Sequence, residues 1–298
     1  MSRGDIDPAL GLELTPERTL AARGGPVSVV VPAHDEEQTV AEVVTAAYAG
    51  LRVLGVEGEV IVSASGCTDD TAHVAARAGA RVVESPLGKG NAVIAGVEAA
   101  TGKIICLVDG DLLYYGDPPL VALLVAPLLH GTADATIADL YWRPVYPQLW
   151  LHGFFAPLAG RLFPELLPKA GSTPWSGQRA APRELWPSAL PDGFTADLAL
   201  LLHWNDTGAR LRPVIADDWV NPQRPKPDLM AREFAVLVRH AIERGRAAED
   251  QLPALERWFA AAHELMARYR PEHDDPQRFE IGLLEESMRH LNAGLGLS

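Results

Sequence analysis

Apolar residues follow two rhythms along this chain. In the first 110 residues they form short, nearly continuous runs: "VSVVVPA" from Val27, "EVIVSAS" from Glu59, "ARVVES" from Ala80 and "KIICLVD" from Lys103. Runs of this length, rich in Val and Ile and bounded by Gly, Pro, Ser and Asp, predict strands buried on both faces, as in parallel sheets. Helical patterns separate them. One lies near residues 36–48, and a second is opened by Asp69, Asp70 and Thr71. The third, "GKGNAVIAGVEAA", reads as a glycine-bounded loop feeding a helix. Alternating strand and helix predicts an α/β fold: a mostly parallel central sheet with helices on both faces.

Beyond residue 225 the rhythm changes. Phe234, Leu237, Val238 and Ile242 recur at helical spacing, as do Leu255, Trp258, Phe259, His263 and Leu265. "FEIGLLEESMRHLNAGL" makes a third such segment. A helical C-terminal region is expected, packed on the rest of the chain or on a second subunit. Its apolar surface motivates the expectation of a homodimer. The proline-rich "NPQRPKP", residues 221–227, reads as a mobile loop or as a plain linker.

Composition narrows the function. Hydrophobic residues make up 48% of 298, enough for a full core, and the formal net charge of −13 argues against nucleic acid or an anionic membrane surface as partner. No apolar run of about 18 residues occurs, so no membrane span is expected. Two cysteines, Cys67 and Cys106, and no evident signal peptide suggest a cytoplasmic protein with reduced thiols.

Two acids interrupt the fourth run. Asp109 and Asp111 stand where burial of Ile104, Ile105, Leu107 and Val108 ends, with Gly110 between them. In open α/β sheets ligands bind at the carboxyl ends of strands. Two adjacent carboxylates repel unless a cation offsets them, and such oxygen ligands suit Mg²⁺ or Mn²⁺. Gly110 lets the loop approach a ligand closely. A lone D-x-D is also a common solvated turn. Three further segments are expected at the same edge. "PAHDEE" and "SGCTDD" follow strands one and two, and "GKGNA" precedes strand four. They offer Lys89 for a phosphate, and Ser65 or Glu36 for a base or ribose. Asp35 and Asp69 could instead be helix caps.

Together, "VVVPAHDEEQTV", "SGCTDDT", "GKGNAV", "VDGD" and "WSGQRAAPRELW" resemble the nucleotide-sugar glycosyltransferases of the Rossmann-like A-type fold, the family-2-like class, over residues 27–225. Within that class the layout is most similar to glucosyl-3-phosphoglycerate synthases. The resemblance implies a UDP-sugar donor, a small-molecule acceptor and a divalent metal. It implies that Pro32, Ala33, His34 and Glu36 line a uridine pocket, that Ser65 contacts the base and that Lys89 lies near base or diphosphate. Asp109 would hold ribose or metal, and Asp111 would ligate the metal. Trp175, Ser176 and Gly177 would floor the sugar site, and Asp197 would meet the sugar hydroxyls. The implied organisation is a flexible leader (1–24), a catalytic domain (25–225) and a helical extension (226–298). Within the catalytic domain, 25–115 is the nucleotide half and 116–225 the sugar and acceptor half.

Departures from the family pattern shape further expectations. The family's late metal-binding histidine falls on Asn221, with Asp217 and Asp218 nearby, and its first acid after strand two is Ala64. The loop that grips an acceptor phosphate corresponds to "YPQLWLHGFFAPLAGRLF", with Leu149 and Leu151 at the Arg and Thr places. Leu149, Trp150 and Phe154 would then favour a flat or apolar acceptor, such as an aromatic natural-product or nucleobase-like scaffold. A plain amphipathic core helix explains the same residues. Asp197 and His152 are candidate bases. A sugar-phosphate nucleotidyltransferase is a competing class, although "PAHDEE" lacks the glycine-rich loop expected there. A non-catalytic nucleotide-sugar-binding module is another.

Overall fold

The computed structural model describes residues 6–7, 12–13, 26–115, 117–139, 145–216, 219–220 and 228–296. Its main sheet has seven strands: β1 (Val27–Ala33), β2 (Gly58–Ser65), β3 (Arg81–Ser85), β4 (Ile104–Leu107), β5 (Ala135–Asp139), β6 (Arg179–Pro182) and β7 (Leu211–Ile215). Their spatial order is β7-β5-β6-β4-β1-β2-β3. Every pairing is parallel except those of β6, which runs antiparallel to both β4 and β5. β1 is buried along its whole length, Ser28 included, as its Val-rich sequence predicts.

Connections explain where a ligand can sit. β1, helix α1 (Val40–Leu54), β2, helix α2 (Thr71–Arg77) and β3 progress in one direction across the sheet. Helix α3 (Lys89–Ala99) then carries the chain back past β1 to β4, so the right-handed crossover rule sets it on the opposite face. The strand order therefore reverses between β1 and β4, and a crevice opens at their carboxyl ends. Close packing fixes α3 there: a Cβ on Gly96 would lie 2.3 Å from Val30 Cγ1. On α1, a Cβ at Gly50 would lie 2.7 Å from Val121 Cβ of helix α4 (Leu120–Leu129).

Several expectations shift by a few residues. α1 begins at Val40 rather than near 36, because residues 34–39 form the loop of the crevice. α3 starts at Lys89 itself, so the "GKGNA" segment is mostly helix. The expected leader contains a short antiparallel ribbon, Ile6–Asp7 with Leu12–Glu13. Tyr114–Tyr115 pairs with Trp219–Val220 in a second ribbon.

The chain forms two compact units that do not follow a single cut. The first comprises Met1–Asp139 and Pro174–Pro227; the second, Leu140–Thr173 and Asp228–Ser298. The second holds helices α5 (Val145–Trp150), α6 (Ala156–Leu162) and α7 (Leu167–Ala170), with a π-helical turn at Leu151–Phe155. Its long helices are α9 (Leu229–Glu243), α10 (Leu252–Met266) and α11 (Pro276–Gly294); α8 (Ala196–Asp206) belongs to the first unit. Phe154 is fully buried, stacked on Trp258 at 6.4 Å and edge-on to Phe259 at 5.6 Å. Ser287 sits at the centre, donating to Gly153 O at 2.7 Å while its own carbonyl accepts from Trp258 Nε1 at 2.9 Å. His263, expected on the apolar stripe, is exposed, and Ala262 is buried in its stead.

Candidate active site

At the switch between β1 and β4, backbone hydrogen bonds continue the sheet past its last regular residues. Val108 N–H donates to Val30 O at 3.0 Å and Gly110 N–H to Pro32 O at 3.2 Å. A Cβ on Gly110 would meet Ala33 Cβ at 3.0 Å and Pro32 O at 3.1 Å, so only glycine passes here without displacing β1. Pro32, Ala33, Asp109 and Gly110 are thus brought together as expected. Thr39 Oγ1 donates to Gly110 O at 2.7 Å and ties in the start of α1.

The loops after β1 and β2 are laced by their own acids. Thr68 N–H donates to Asp35 Oδ1 at 2.6 Å, and Thr68 Oγ1 donates to Asp35 Oδ2 at 3.1 Å. Glu37 N–H donates to Asp69 Oδ2 at 3.0 Å, Asp70 N–H to Glu37 Oε2 at 3.1 Å, and Glu36 N–H to Thr71 Oγ1 at 2.7 Å. The acids of "PAHDEE" and "SGCTDD" therefore join two loops rather than merely cap helices. The Thr68 amide holds the Asp35 carboxyl below the usual range. Glu36 is buried beneath them. Ser65, also buried, donates to Pro86 O at 2.8 Å and accepts from Gly88 N–H at 2.9 Å. It shapes the turn that launches Lys89.

Lys89 is the centre of the arrangement. Its Nζ lies 3.0 Å from Asp109 Oδ1 and 2.8 Å from Asp197 Oδ2, with all three side chains at most 16% exposed. Burial pushes its ammonium down, but the two carboxylates outweigh burial and hold it above the usual lysine range. Asp197 stands in the first turn of α8. It meets Lys89 because the chain at 191–192 crosses the start of α3, where Gly90 N–H donates to Asp192 O at 3.0 Å. A Cβ on Gly90 would collide with Pro191 O at 1.7 Å.

The antiparallel strand completes the site. Gln178 embraces Asp109: the Asp109 N–H donates to Gln178 Oε1 at 2.8 Å, and Gln178 Nε2 donates to Asp109 Oδ2 at 2.6 Å. A Cβ on Gly177 would lie 2.5 Å from both Asp109 Oδ2 and Lys89 Nζ, so this glycine is the space the ion cluster occupies. Arg179 is fully buried; its Nε donates to Ser176 O at 2.6 Å and an η-nitrogen to Pro174 O at 3.0 Å. Burial lowers its pKa to about 10 against the opposing influence of Asp197 and Asp109. Gln178 was missed in the sequence, whereas Arg179 reads there as a partner for phosphate or for surface acids, and the structure buries it. The signal was there: "GQRAAP" places two polar residues at the head of an otherwise apolar strand.

Asp109 and Asp197 face Lys89 and Arg179 here, and Asp111 follows Asp109 by two residues at the same strand end. The excess of oxygen donors fits a hard divalent cation. Asp111 follows β4 within this unit and is partly exposed. Asn221, Asp217 and Asp218 lie outside the described residues. Trp175 and Ser176 lead into β6, Ser176 accepting from Gln178 N–H at 3.3 Å. His152 belongs to the other unit, where its Nδ1 bonds Gln148 O at 2.9 Å. Of the expected apolar acceptor wall, Leu149 and Phe154 are buried in the core of the second unit, as in an amphipathic core helix, and only Trp150 is half-buried.

The profile of glycosyl transferase family 2 matches residues 28–176, half of the chain. This chain belongs to glycosyl transferase family 2. Glucosyl-3-phosphoglycerate synthase of Mycobacterium tuberculosis (strain ATCC 25618 / H37Rv) is 36% identical over 216 residues, 65% of this chain. The match spans only 64% of that relative's length. An uncharacterized glycosyltransferase of the same organism is 42% identical over 126 residues, covering 40% of this chain and 53% of the relative. Among solved structures, the M. tuberculosis synthase in complex with Mn²⁺, UDP and phosphoglyceric acid superposes with a TM-score of 0.64. It is 31% identical and the match covers 76% of this chain and 81% of that one. The same enzyme with Mg²⁺ and UDP gives 0.61 at 29% identity, over 76% and 82%. Membership of this fold class accounts for the seven-stranded sheet and for the acids at its switch point.

Proposed function

We propose that this chain is a metal-dependent glycosyltransferase that moves a glucosyl group from UDP-glucose to 3-phosphoglycerate. One observation carries the reading: Lys89 buried between Asp109 and Asp197 at the strand-order switch, with Gly177 leaving room beside them. The likeness to the synthase and its UDP-bound crystals supports the choice of donor and acceptor.

In such a transfer the bond between the anomeric carbon and the diphosphate breaks with its electron pair on the diphosphate, the acceptor hydroxyl oxygen bonds to that carbon, and the hydroxyl proton passes to the departing diphosphate. Asp111 and Asp109 would hold Mg²⁺ or Mn²⁺, which when bound would supply positive charge for the departing diphosphate. Gln178 orients the Asp109 carboxylate through one hydrogen bond to Oδ2 while accepting another from the Asp109 backbone N–H, leaving little freedom for the ligand to turn away. Lys89 holds Asp197 at the start of α8, where its carboxylate can receive sugar hydroxyls. His34 and Glu36 border the uridine side, where Ser65 shapes the loop. A cytoplasmic location and a homodimer belong to the same reading. Ile281 and Met288, seven residues apart on α11 and both exposed, are the apolar side chains a partner would cover. A single monomeric boundary in sedimentation at micromolar concentration would remove the dimer.

The decisive experiment incubates the protein with UDP-glucose, Mn²⁺ and 3-phosphoglycerate and follows UDP release with mass spectrometry of the product. Glucosyl-3-phosphoglycerate is expected. UDP-glucose hydrolysis without that product would reject the acceptor and favour one lacking a phosphate, the reading that Leu149 and Leu151 suggested. No hydrolysis in any condition, with UDP still bound, would favour a binding module.

A further inference from the structure

A second constellation of ligating side chains stands where the first two loops meet. We propose that His34, Asp35 and Cys67 form a binding site for a soft divalent cation of the zinc type. Each offers one ligand atom, and the three atoms lie within 4.8 Å of one another. Nitrogen, oxygen and sulfur donors in one cluster match zinc and do not match magnesium, which takes oxygen alone.

The surroundings prepare each ligand. His34 Nδ1 lies 2.8 Å from Ser65 O. A carbonyl only accepts, so Nδ1 carries the proton and Nε2 keeps its lone pair, the tautomer a metal-bound imidazole uses. That Nε2 is 3.8 Å from Asp35 Oδ2. Asp35 has φ +54°, a left-handed conformation unusual outside glycine, and the Thr68 N–H and hydroxyl hold its carboxylate there. Cys67 Sγ is placed beside Ala33 O at 3.5 Å, which brings the second loop's sulfur to the first loop. Tetrahedral ligands about 2.0–2.3 Å from zinc stand about 3.5 Å apart. Side-chain rotation of about 1 Å therefore closes the cage. Three protein ligands leave a fourth position to water or an incoming group. His34 and Asp35 are 48% and 39% exposed, so an ion can enter.

The site is distinct in chemistry from the acid pair at Asp109 and Asp111, and a spectroscopic probe separates them. Co²⁺ gives a near-ultraviolet thiolate charge-transfer band only when sulfur ligates it. The chain has two cysteines, and Cys106 is fully buried, so such a band reports Cys67. Titrating the purified protein with Co²⁺ should produce the band at one ion per chain, and Zn²⁺ should abolish it by displacement. Cys67→Ser should remove it, and His34→Ala and Thr68→Ala should each weaken Co²⁺ binding about tenfold or more. Asp111→Asn should leave it intact. Without any variant, saturating Zn²⁺ should protect Cys67 from iodoacetamide. A missing band, a band that survives Cys67→Ser, or alkylation at an unchanged rate under Zn²⁺ would overturn the proposal.

Discussion

At the residue scale the site depends on a buried cation shared by two acids. Removing one member of such a group leaves uncompensated charge in a region poor in water. Lys89→Met should therefore cost about 3–5 kcal/mol of stability and abolish sugar transfer, checked by chemical denaturation and by UDP release. Gly177→Ala is the finer probe. Its methyl would press on Asp109 and Lys89 at 2.5 Å, so the cluster must spread. Mn²⁺-dependent UDP binding, followed by calorimetry, should weaken at least tenfold while the melting temperature moves little. Unchanged UDP affinity would show that the cluster does not border the nucleotide. The residues that carry chemistry were legible singly, because carboxylates and a lysine at strand ends and loop starts are conspicuous. Their pairing was not. Lys89 and Asp197 are over a hundred positions apart, and only the crossing of 191–192 over α3 brings them together.

At the element scale the strands of the first half were readable from their Val and Ile runs, since burial on both faces leaves no ambiguity of period. The three C-terminal helices were readable from their apolar stripes. β6 was not: four residues, "RAAP", carry too little pattern, and the strand is defined by its neighbours. The "LWLHGFF" segment misled, because a ligand wall and a core helix have the same apolar composition. Packing of α3 on β1 gives a direct test. Gly96→Val should overpack against Val30 and cost about 1–3 kcal/mol, measured by urea denaturation. A neutral result would mean that the helix can shift without disturbing Lys89.

At the scale of the whole molecule, the first unit is fastened at both ends of its sheet. At the end away from the site, Glu59 accepts from Ser28 Oγ at 2.7 Å, from Thr101 N–H at 2.7 Å and from Thr101 Oγ1 at 2.6 Å. Burial raises the Glu59 pKa, but these hydrogen bonds and nearby Arg81 prevail and set it below its ordinary 4.5. The folded state thus holds the Glu59 proton less readily than the unfolded chain. Its contribution is complete above 4.5 and is lost as pH falls through the lower folded value. Melting temperatures should decline over that acidic interval, and Glu59→Gln should flatten the decline while leaving UDP binding at neutral pH unchanged. An identical acid profile in the variant would assign the loss to other carboxylates, Asp69 among them.

The reversed direction of β6 has one more consequence. Because it enters where its neighbours leave, its opening residues, not its closing ones, reach the crevice, and the ladder with β4 fixes which of them stands opposite Asp109. Deleting Gln178 would shift the residues before it by a single place. The backbone ladder could re-form, yet Gly177 would stand where Gln178 stood and the Ser176 side chain would enter the space that Gly177 leaves bare, producing a folded protein whose candidate site is out of phase by one amino acid.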